Sequence, residues 1–402
     1  MLVAIIGGKL QGVELTYLAH KAGWEVIVID KGPVVPASGL SDKFVQLDVK
    51  DTGSLETVLK GVDLVIPATE NRETLDILHR WCSAKGIPLA FDADAYAISS
   101  SKLESDRLFA QIKIPAPVSW PDCGFPLIAK PSGGSGSKGV QIIYDRRQLE
   151  ERFPGSLPPG GWVLQEYVEG PSYSLEIVGV PGQYLPLQVT DLEMDAGYDC
   201  KRVIAPTELT SRQVGEFEEI SVKIAEAIRL RGLMDVEVIL HKGEFKVLEI
   251  DARFPSQTPT AVYHSTGINM IELLPPAARN LFEKRFLDFQ KLLTKQKFYG
   301  GPDRRGGFSK EPPGGVVYEH IKVTSGVVEV CGEHIMADAG PLHLEPGFFG
   351  AHEAITNYAP GQTEWVATLI ITGSTREQAL LNRNRVIDNI EAAHDATLAR
   401  RP

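Results

Sequence analysis

Residues 246–253 read KVLEIDAR, and their types and spacing suit chemistry on a divalent cation. Glu249, Asp251 and Arg253 fall at i, i+2 and i+4 of a run whose other members, Val247, Leu248 and Ile250, are apolar. Alternate side chains of a strand share a face, so two carboxylates and a guanidinium point the same way. Burying two like charges together is costly unless a cation neutralises them. A hard ion with oxygen ligands, such as Mg²⁺, meets that need. The preceding run, Met234–Leu240 (MDVEVIL), alternates Asp235 and Glu237 with apolar residues. His241-Lys242-Gly243-Glu244 fits a tight hairpin turn between the two runs, which makes Glu237 a cross-strand neighbour of Glu249 and Asp251. On spacing alone, a half-exposed hairpin with a solvated acidic face stays an equal alternative.

These residues need a scaffold, and composition bounds it. The 402 residues suggest roughly two to four domains, and 43% of them are hydrophobic, enough for substantial cores. No apolar run is long enough to span a membrane. The first residues, MLVAIIGG, read as a strand and lack the basic leader and cleavage site of a signal peptide. A net charge of −11 argues against a nucleic-acid surface. Cys82, Cys123, Cys200 and Cys331 form no CxxC or His/Cys cluster, which disfavours structural zinc and a disulfide framework. A reducing cytoplasm is the expected setting.

Residues 1 to about 95 alternate predicted strands (2–6, 26–30, 44–47, 64–67 and 88–91) with predicted helices (11–21, 53–59 and 71–85). That alternation predicts a parallel, doubly wound sheet, whose ligands sit at the carboxyl ends of the strands. Gly7-Gly8-Lys9-Leu10-Gln11-Gly12, Asp30 and Glu70-Asn71-Arg72 occupy those ends. The glycine turn fails the dinucleotide fingerprint, because Lys9 stands at the middle glycine's place, although Asp30 sits where a ribose ligand would. Backbone amides at this helix start are better suited to an anionic group such as a carboxylate.

Further on come a helix over 102–112, a strand at 125–131 that carries Lys130, and the loop 132–139 (SGGSGSKG). A glycine-rich loop between strands folds its amides over phosphates. It is not a Walker A loop, since no helix follows; the bland alternative is a flexible linker. Strands are expected at 162–168 and 173–180, a polar stretch at 185–205, and a helix over 209–230. Residues 269–286 read as helical, 296–314 as a Gly/Pro-rich linker, 316–335 and 365–372 as strands, and 375–393 as a last helix.

In this order the segments resemble the ATP-grasp superfamily of carboxylate–amine ligases. The resemblance covers essentially the whole chain and rests on Lys102, Phe125–Pro131 with Lys130, the 132–139 loop, Gln165–Val168, and Glu237 with Glu249-Ile250-Asp251-Ala252-Arg253. It implies an α/β ATP-grasp architecture: an N-terminal substrate domain over 1–98, a central nucleotide and metal module over 99–295, and a mostly antiparallel C-terminal region with a helix over 296–402. It further implies that Lys102, Lys130, Ser137, Lys138 and Gly139 hold ATP phosphates. Gln165, Glu166, Tyr167 and Val168 would read the adenine, and Glu176 the ribose. Glu237, Glu249 and Asp251 would hold Mg²⁺, with Asp251 replacing the family's usual Asn. Within the superfamily, MLVAIIGGKLQG, DARFPSQTPT and the length look like the pyrrolysine-biosynthesis ligase family, which joins 3-methyl-D-ornithine to L-lysine.

That likeness implies activation of a carboxylate as an acyl phosphate, followed by attack of an amine. Positioning and charge neutralisation carry such phosphoryl chemistry. Arg253 is the catalytic candidate, facing the reacting carboxylate or the oxyanion. Gln11, Gly12, Glu70, Arg72, Asp235 and Ser256 are the substrate-side candidates, with Lys9 or Arg72 facing a carboxylate. An acid such as Asp191, Asp195 or Asp235 is expected to bind an ammonium group or accept a proton, although a solvated acid is the commoner role. The expected partners are small amino acids (L-lysine, and 3-methyl-D-ornithine or D-ornithine), with ATP and Mg²⁺, no nucleic acid and no membrane, in a monomer or homodimer. A purine- or biotin-type carboxylase, or another amino-acid ligase, is the alternative.

Overall fold

The computed structural model describes residues 1–134, 136–155, 161–274 and 314–398. The chain forms two compact units: 1–91 with 193–207 and 254–402, and 92–192 with 208–253. The expected linker over 296–313, the helix beyond residue 274 and Ser135 of the glycine loop lie outside the described residues.

The first unit opens with a four-stranded parallel sheet in the order Lys43–Gln46, Glu25–Asp30, Leu2–Ile6, Leu64–Pro67. The two inner strands are continuous apolar runs, as a sheet covered on both faces requires. Ala4, Ile6, Ile27, Ile29 and Val65 pack with Leu55, Leu59, Leu78 and Cys82. The fifth predicted strand, 88–91, reduces to one bridge between Val65 and Leu89. Pro88 has no N–H to extend that ladder.

The same unit carries an antiparallel run of strands in the order Cys200–Ala205, Gly315–Thr324, Glu364–Gly373, Glu353–Thr356, His343–Pro346, with Val327–Val330 also on Gly315–Thr324. Ala379, Val386 and Ile390 of the last helix, Arg376–Leu398, are buried with Val317, Ile321, Leu369 and Ile371. The predicted strand over 316–335 breaks at Ser325-Gly326, where both φ angles are positive, and its end becomes the short 3-10 turn Glu333–Met336.

The second unit holds two sheets. Leu127–Pro131 lies between Gln141–Ile143 and Trp162–Glu166, all antiparallel. Four further strands run in the order Glu244–Asp251, Gly232–His241, Ser172–Val180, Gln183–Met194. The last of these, with Cys200–Ala205, overlaps the 185–205 stretch that reads as merely polar; its register is irregular opposite Leu175 and Ile177, which blurs the period of its apolar residues. The helix Ser211–Ala227 seals the sheet with Phe217, Ile220 and Ile224. Phe217 stacks on Phe245 at 5.4 Å between ring centroids. Among the described residues, no helix is long and apolar enough to cross a membrane.

Candidate active site

The acidic hairpin forms as its spacing predicts. Strand Gly232–His241 turns at Lys242 and Gly243, with φ of 50° and 87°, into Glu244–Asp251. Two successive positive φ values make the primed turn that matches strand twist. The register sets Glu237 opposite Glu249 and Asp235 opposite Asp251. On the other side Glu176 faces Asp235, and Ser174 faces Glu237. Five carboxylates therefore occupy adjacent positions on three strands.

Burial makes the cluster expensive in its charged form. Glu176 is fully buried and Asp235 is 6% exposed. Burial, then the charges of Asp251 and Glu237, push Asp235 well above the usual carboxylate range. Burial and then Glu249 raise Glu237 to about 7. Two cations oppose this. Lys102 Nζ lies 2.9 Å from Glu249 Oε1, and Arg253 Nη2 lies 2.7 Å from Asp251 Oδ2.

Lys102 also joins the hairpin to the glycine-rich loop. Its Nζ donates to the Gly134 carbonyl at 2.9 Å. It opens the helix Lys102–Ile112, which Ser101 caps by accepting from Glu104 N–H. The Lys102 amide donates to the Ser132 carbonyl at 2.9 Å, and Leu103 N–H reaches Ser132 Oγ. Lys130, on the strand leading into the loop, is buried and donates to the Leu248 carbonyl at 3.4 Å. Burial lowers its pKa, while Glu249 pulls the other way. Lys102, Lys130 and the acids therefore form one electrostatic cluster. Asp106, which motif reading passes over, belongs to it: burial raises its carboxyl, and Lys130 and Lys102 lower it.

In the loop, Ser137 and Gly139 have positive φ, and a Cβ on Gly139 would come within 3.2 Å of Pro131 Cγ. Gln165 is 2% exposed, and its Oε1 has no hydrogen-bond partner among the described residues. The Glu166 and Tyr167 amides already donate to the Val118 and Pro126 carbonyls. The Glu166 and Tyr167 amides are therefore already engaged within the chain.

In the first unit, Gln11 and Gly12 follow the end of Leu2–Ile6, and Glu70 and Arg72 follow the end of its parallel neighbour Leu64–Pro67. Gly12 lets the helix Leu10–Lys21 close onto the turn, since a Cβ there would sit 2.2 Å from the Gly7 carbonyl oxygen. Asp30 serves the turn beside it, accepting from Gly8 N–H and Gly32 N–H, both at 2.8 Å. Both carboxylate oxygens are thus committed locally, which disfavours a ribose role. Lys9 pairs at the surface with Asp338. Asp195 accepts from Gly197 and Asp199 amides, so it shapes a turn. Asp191, in the second unit, accepts from Glu208 N–H. Ser256 hydrogen-bonds to Glu333, a residue that no sequence signal singles out.

The fit to a hard cation is chemical. The donors are all carboxylate oxygens, and the buried Asp235 Oδ1 has no hydrogen-bond partner among the described residues. Among the described residues, no three His, Cys, Asp or Glu side chains converge as a ready-made metal cage. A cation that brings its own phosphate ligands needs only one or two carboxylates.

Known proteins resemble this chain along nearly its whole length. Residues 99–257 match the ATP-grasp domain family, and residues 3–89 match the PylC-like N-terminal domain family. The 3-methyl-D-ornithine–L-lysine ligase of Methanosarcina mazei is 35% identical over 399 residues, covering 98% of this chain and 96% of that protein. Its counterpart in Methanosarcina acetivorans is 36% identical over 94% of each chain. The biotin carboxylase of Campylobacter jejuni, solved with an ATP analogue, shares the fold with a TM-score of 0.67 at 14% identity, covering 98% of this chain and 95% of that one. The chain is an ATP-grasp ligase and belongs to the 3-methyl-D-ornithine–L-lysine ligase family.

Proposed function

We propose that this enzyme uses ATP to join the carboxylate of 3-methyl-D-ornithine to the side-chain amine of L-lysine, a step in pyrrolysine biosynthesis carried out in the cytoplasm. The observation that carries this reading is the 35% identity to a ligase of that name along 98% of the chain. The geometry supports the same chemistry. Glu237, Glu249 and Asp251 would hold Mg²⁺, which supplies charge neutralisation to the nucleotide phosphates. Lys102, paired with Glu249 in this structure, would exchange that carboxylate for phosphate oxygens. Lys130, Ser137, Lys138 and Gly139 would complete the phosphate contacts. The Gln165–Val168 segment would take the base, and Glu176 the ribose.

Arg253 would present a fork of donors to the carboxylate under activation. Its pairing with Asp251 holds it in place. Gln11, Gly12, Glu70, Arg72, Asp235 and Ser256 would bind amino-acid groups. A lysine amine must lose its proton before it attacks, and Asp235 would either receive that proton or hold the ammonium group.

The test is ADP release across a panel of amino acids. Turnover is expected to need L-lysine together with 3-methyl-D-ornithine or D-ornithine. Turnover stimulated by bicarbonate in place of an amino acid would instead favour a carboxylase. Glu249→Gln is expected to abolish turnover with the fold intact; an active variant would remove Glu249 from the site.

A further inference from the structure

We infer that Glu333, together with the side-chain amide of Gln257, is a receptor for an ammonium group of an amino-acid substrate. The inference deepens the ligase reading above and rests on it.

The backbone around Glu333 is fixed on both sides by one turn. Gly332 N–H donates to Asp195 Oδ2 at 3.2 Å, and His334 N–H to Asp199 Oδ2 at 3.0 Å. The His334 ring adds a contact to the same Asp199 oxygen at 2.8 Å. A Cβ at position 332 would fall 2.0 Å from Asp199 Oδ2, so the loop fits this turn only with glycine there. The Glu333 side chain is thereby directed to Ser256 and Gln257, which both hydrogen-bond to it.

Gln257 supplies the independent sign of a ligand. It is 5% exposed and holds a φ of 70° without being glycine. Such backbone strain persists where surrounding structure over-determines it. Its amide hydrogen-bonds to Glu333, yet its Oε1 is buried with no hydrogen-bond partner among the described residues. The next residue, Thr258, repeats the pattern: it is 6% exposed, and its Oγ1 has no hydrogen-bond partner among the described residues. A buried acceptor left unmade costs about 1–3 kcal/mol. The Glu333 carboxylate and the Gln257 amide oxygen together form an acceptor-rich, negatively charged pair.

An ammonium group brings three donors, a positive charge and no acceptor, the complement of that set. A resident metal fits less well, because no three His, Cys, Asp or Glu side chains converge on one point among the described residues. Burial holds Glu333 above the ordinary carboxylate range, with Ser256 and Gln257 opposing the rise. A cationic group arriving beside it would favour its charged form. Glu333 and Gln257 would then separate an amino-acid substrate from an analogue that lacks the amine.

The test measures KM for each amino acid and for ATP by ADP release, in the wild type and in Glu333→Gln, with des-amino analogues of each amino acid alongside. The expected result is a rise of at least about 10-fold in KM for one amino acid, the size of a lost charge-assisted hydrogen bond. KM for ATP and for the other amino acid should be unchanged, and the preference over the des-amino analogue should vanish. Gln257→Asn, which withdraws the amide by one methylene, should raise the same KM and covers the case in which Glu333→Gln does not fold. A wild type that is active on both amino acids, with variants that keep every KM or shift all of them alike, overturns this inference alone. A wild type inactive with both amino acids overturns the ligase reading, and this inference with it.

Discussion

Glu14→Gln tests whether a buried carboxyl of the first unit controls how stability depends on pH. Glu14 lies on the helix Leu10–Lys21 and is 1% exposed. Its Oε1 accepts from Thr260 N–H at 2.7 Å, and its Oε2 from the Tyr318 hydroxyl at 3.2 Å. Burial pushes its pKa from 4.5 to about 7, against those two donors, and the charge of Glu333 adds to the rise. A raised carboxyl binds its proton more tightly in the folded chain. Its stabilisation is therefore complete below pH 4.5 and is lost as pH climbs through 7. The full span is about 3 kcal/mol, at 1.36 kcal/mol per pH unit. Between pH 5 and 8.5 the share expressed is about 2–3 kcal/mol. Glutamine keeps the shape: its oxygen can take the Thr260 amide, and the Tyr318 hydroxyl can turn to accept from its NH₂. The assay is urea denaturation of both proteins from pH 5 to 8.5. Their difference cancels the other titrating groups, and the variant should gain on the wild type steadily as pH rises. A difference that does not change with pH refutes the assignment of a near-neutral pKa to Glu14.

Three further outcomes follow from the site. Lys102→Met removes the 2.9 Å partner of Glu249 and the tie to the Gly134 carbonyl. It should lower kcat/KM for ATP at least about 10-fold, and steady-state kinetics that match the wild type would exclude Lys102 from nucleotide binding. Arg253→Lys keeps the charge but loses the fork. It should cut kcat by about 10²–10³ with little change in KM for ATP, whereas a change confined to KM would make Arg253 a binding residue only. Gly332→Ala forces a Cβ against Asp199 and should cost about 1–3 kcal/mol of stability by overpacking. An unchanged denaturation midpoint would contradict that contact.

The hairpin was legible because both of its signals are local. Period-2 alternation marks each strand, and a Lys-Gly pair tolerates the two positive φ values at 242 and 243. The turn sets the register as far as Val238 opposite Val247, and a one-residue shift between Glu237 and Val238 then brings Glu237 opposite Glu249. Lys102 and Lys130 were legible as parts of an ordered series, while their convergence on Glu249 needed the fold. Asp30 shows the limit of motif logic. It occupies the position of a ribose ligand, yet its oxygens serve two neighbouring amides. Gln257 stood in the DARFPSQTPT run, beside Ser256, whereas Glu333 and Glu14 left no trace in the sequence, because each acquires its partners from segments distant in the chain. Short strands such as Glu353–Thr356 carry too few residues to show a period.

The electrostatics of the hairpin explain why its two cations matter beyond catalysis. Glu176, Asp235, Glu237, Glu249 and Asp251 crowd three neighbouring strands, and like charges that close cannot all ionise in a buried setting. Burial and mutual repulsion raise the pKa values of Asp235 and Glu237, which disfavours the charged form of part of the cluster. The rest is balanced by Lys102 on Glu249 and Arg253 on Asp251. These are the side chains that the proposed chemistry needs for phosphate and carboxylate oxygens. By these pairings the two residues offset part of the acids' charge within the sheet, and in the proposed chemistry they would face the nucleotide and the substrate. Removing one partner of a buried pair leaves an uncompensated charge at a cost of about 3–5 kcal/mol. Loss of activity in a Lys102 or Arg253 variant consequently carries a catalytic meaning only when its folding is measured beside its kinetics. The conservative Arg253→Lys separates the two, because it preserves the counter-charge to Asp251 while removing the fork.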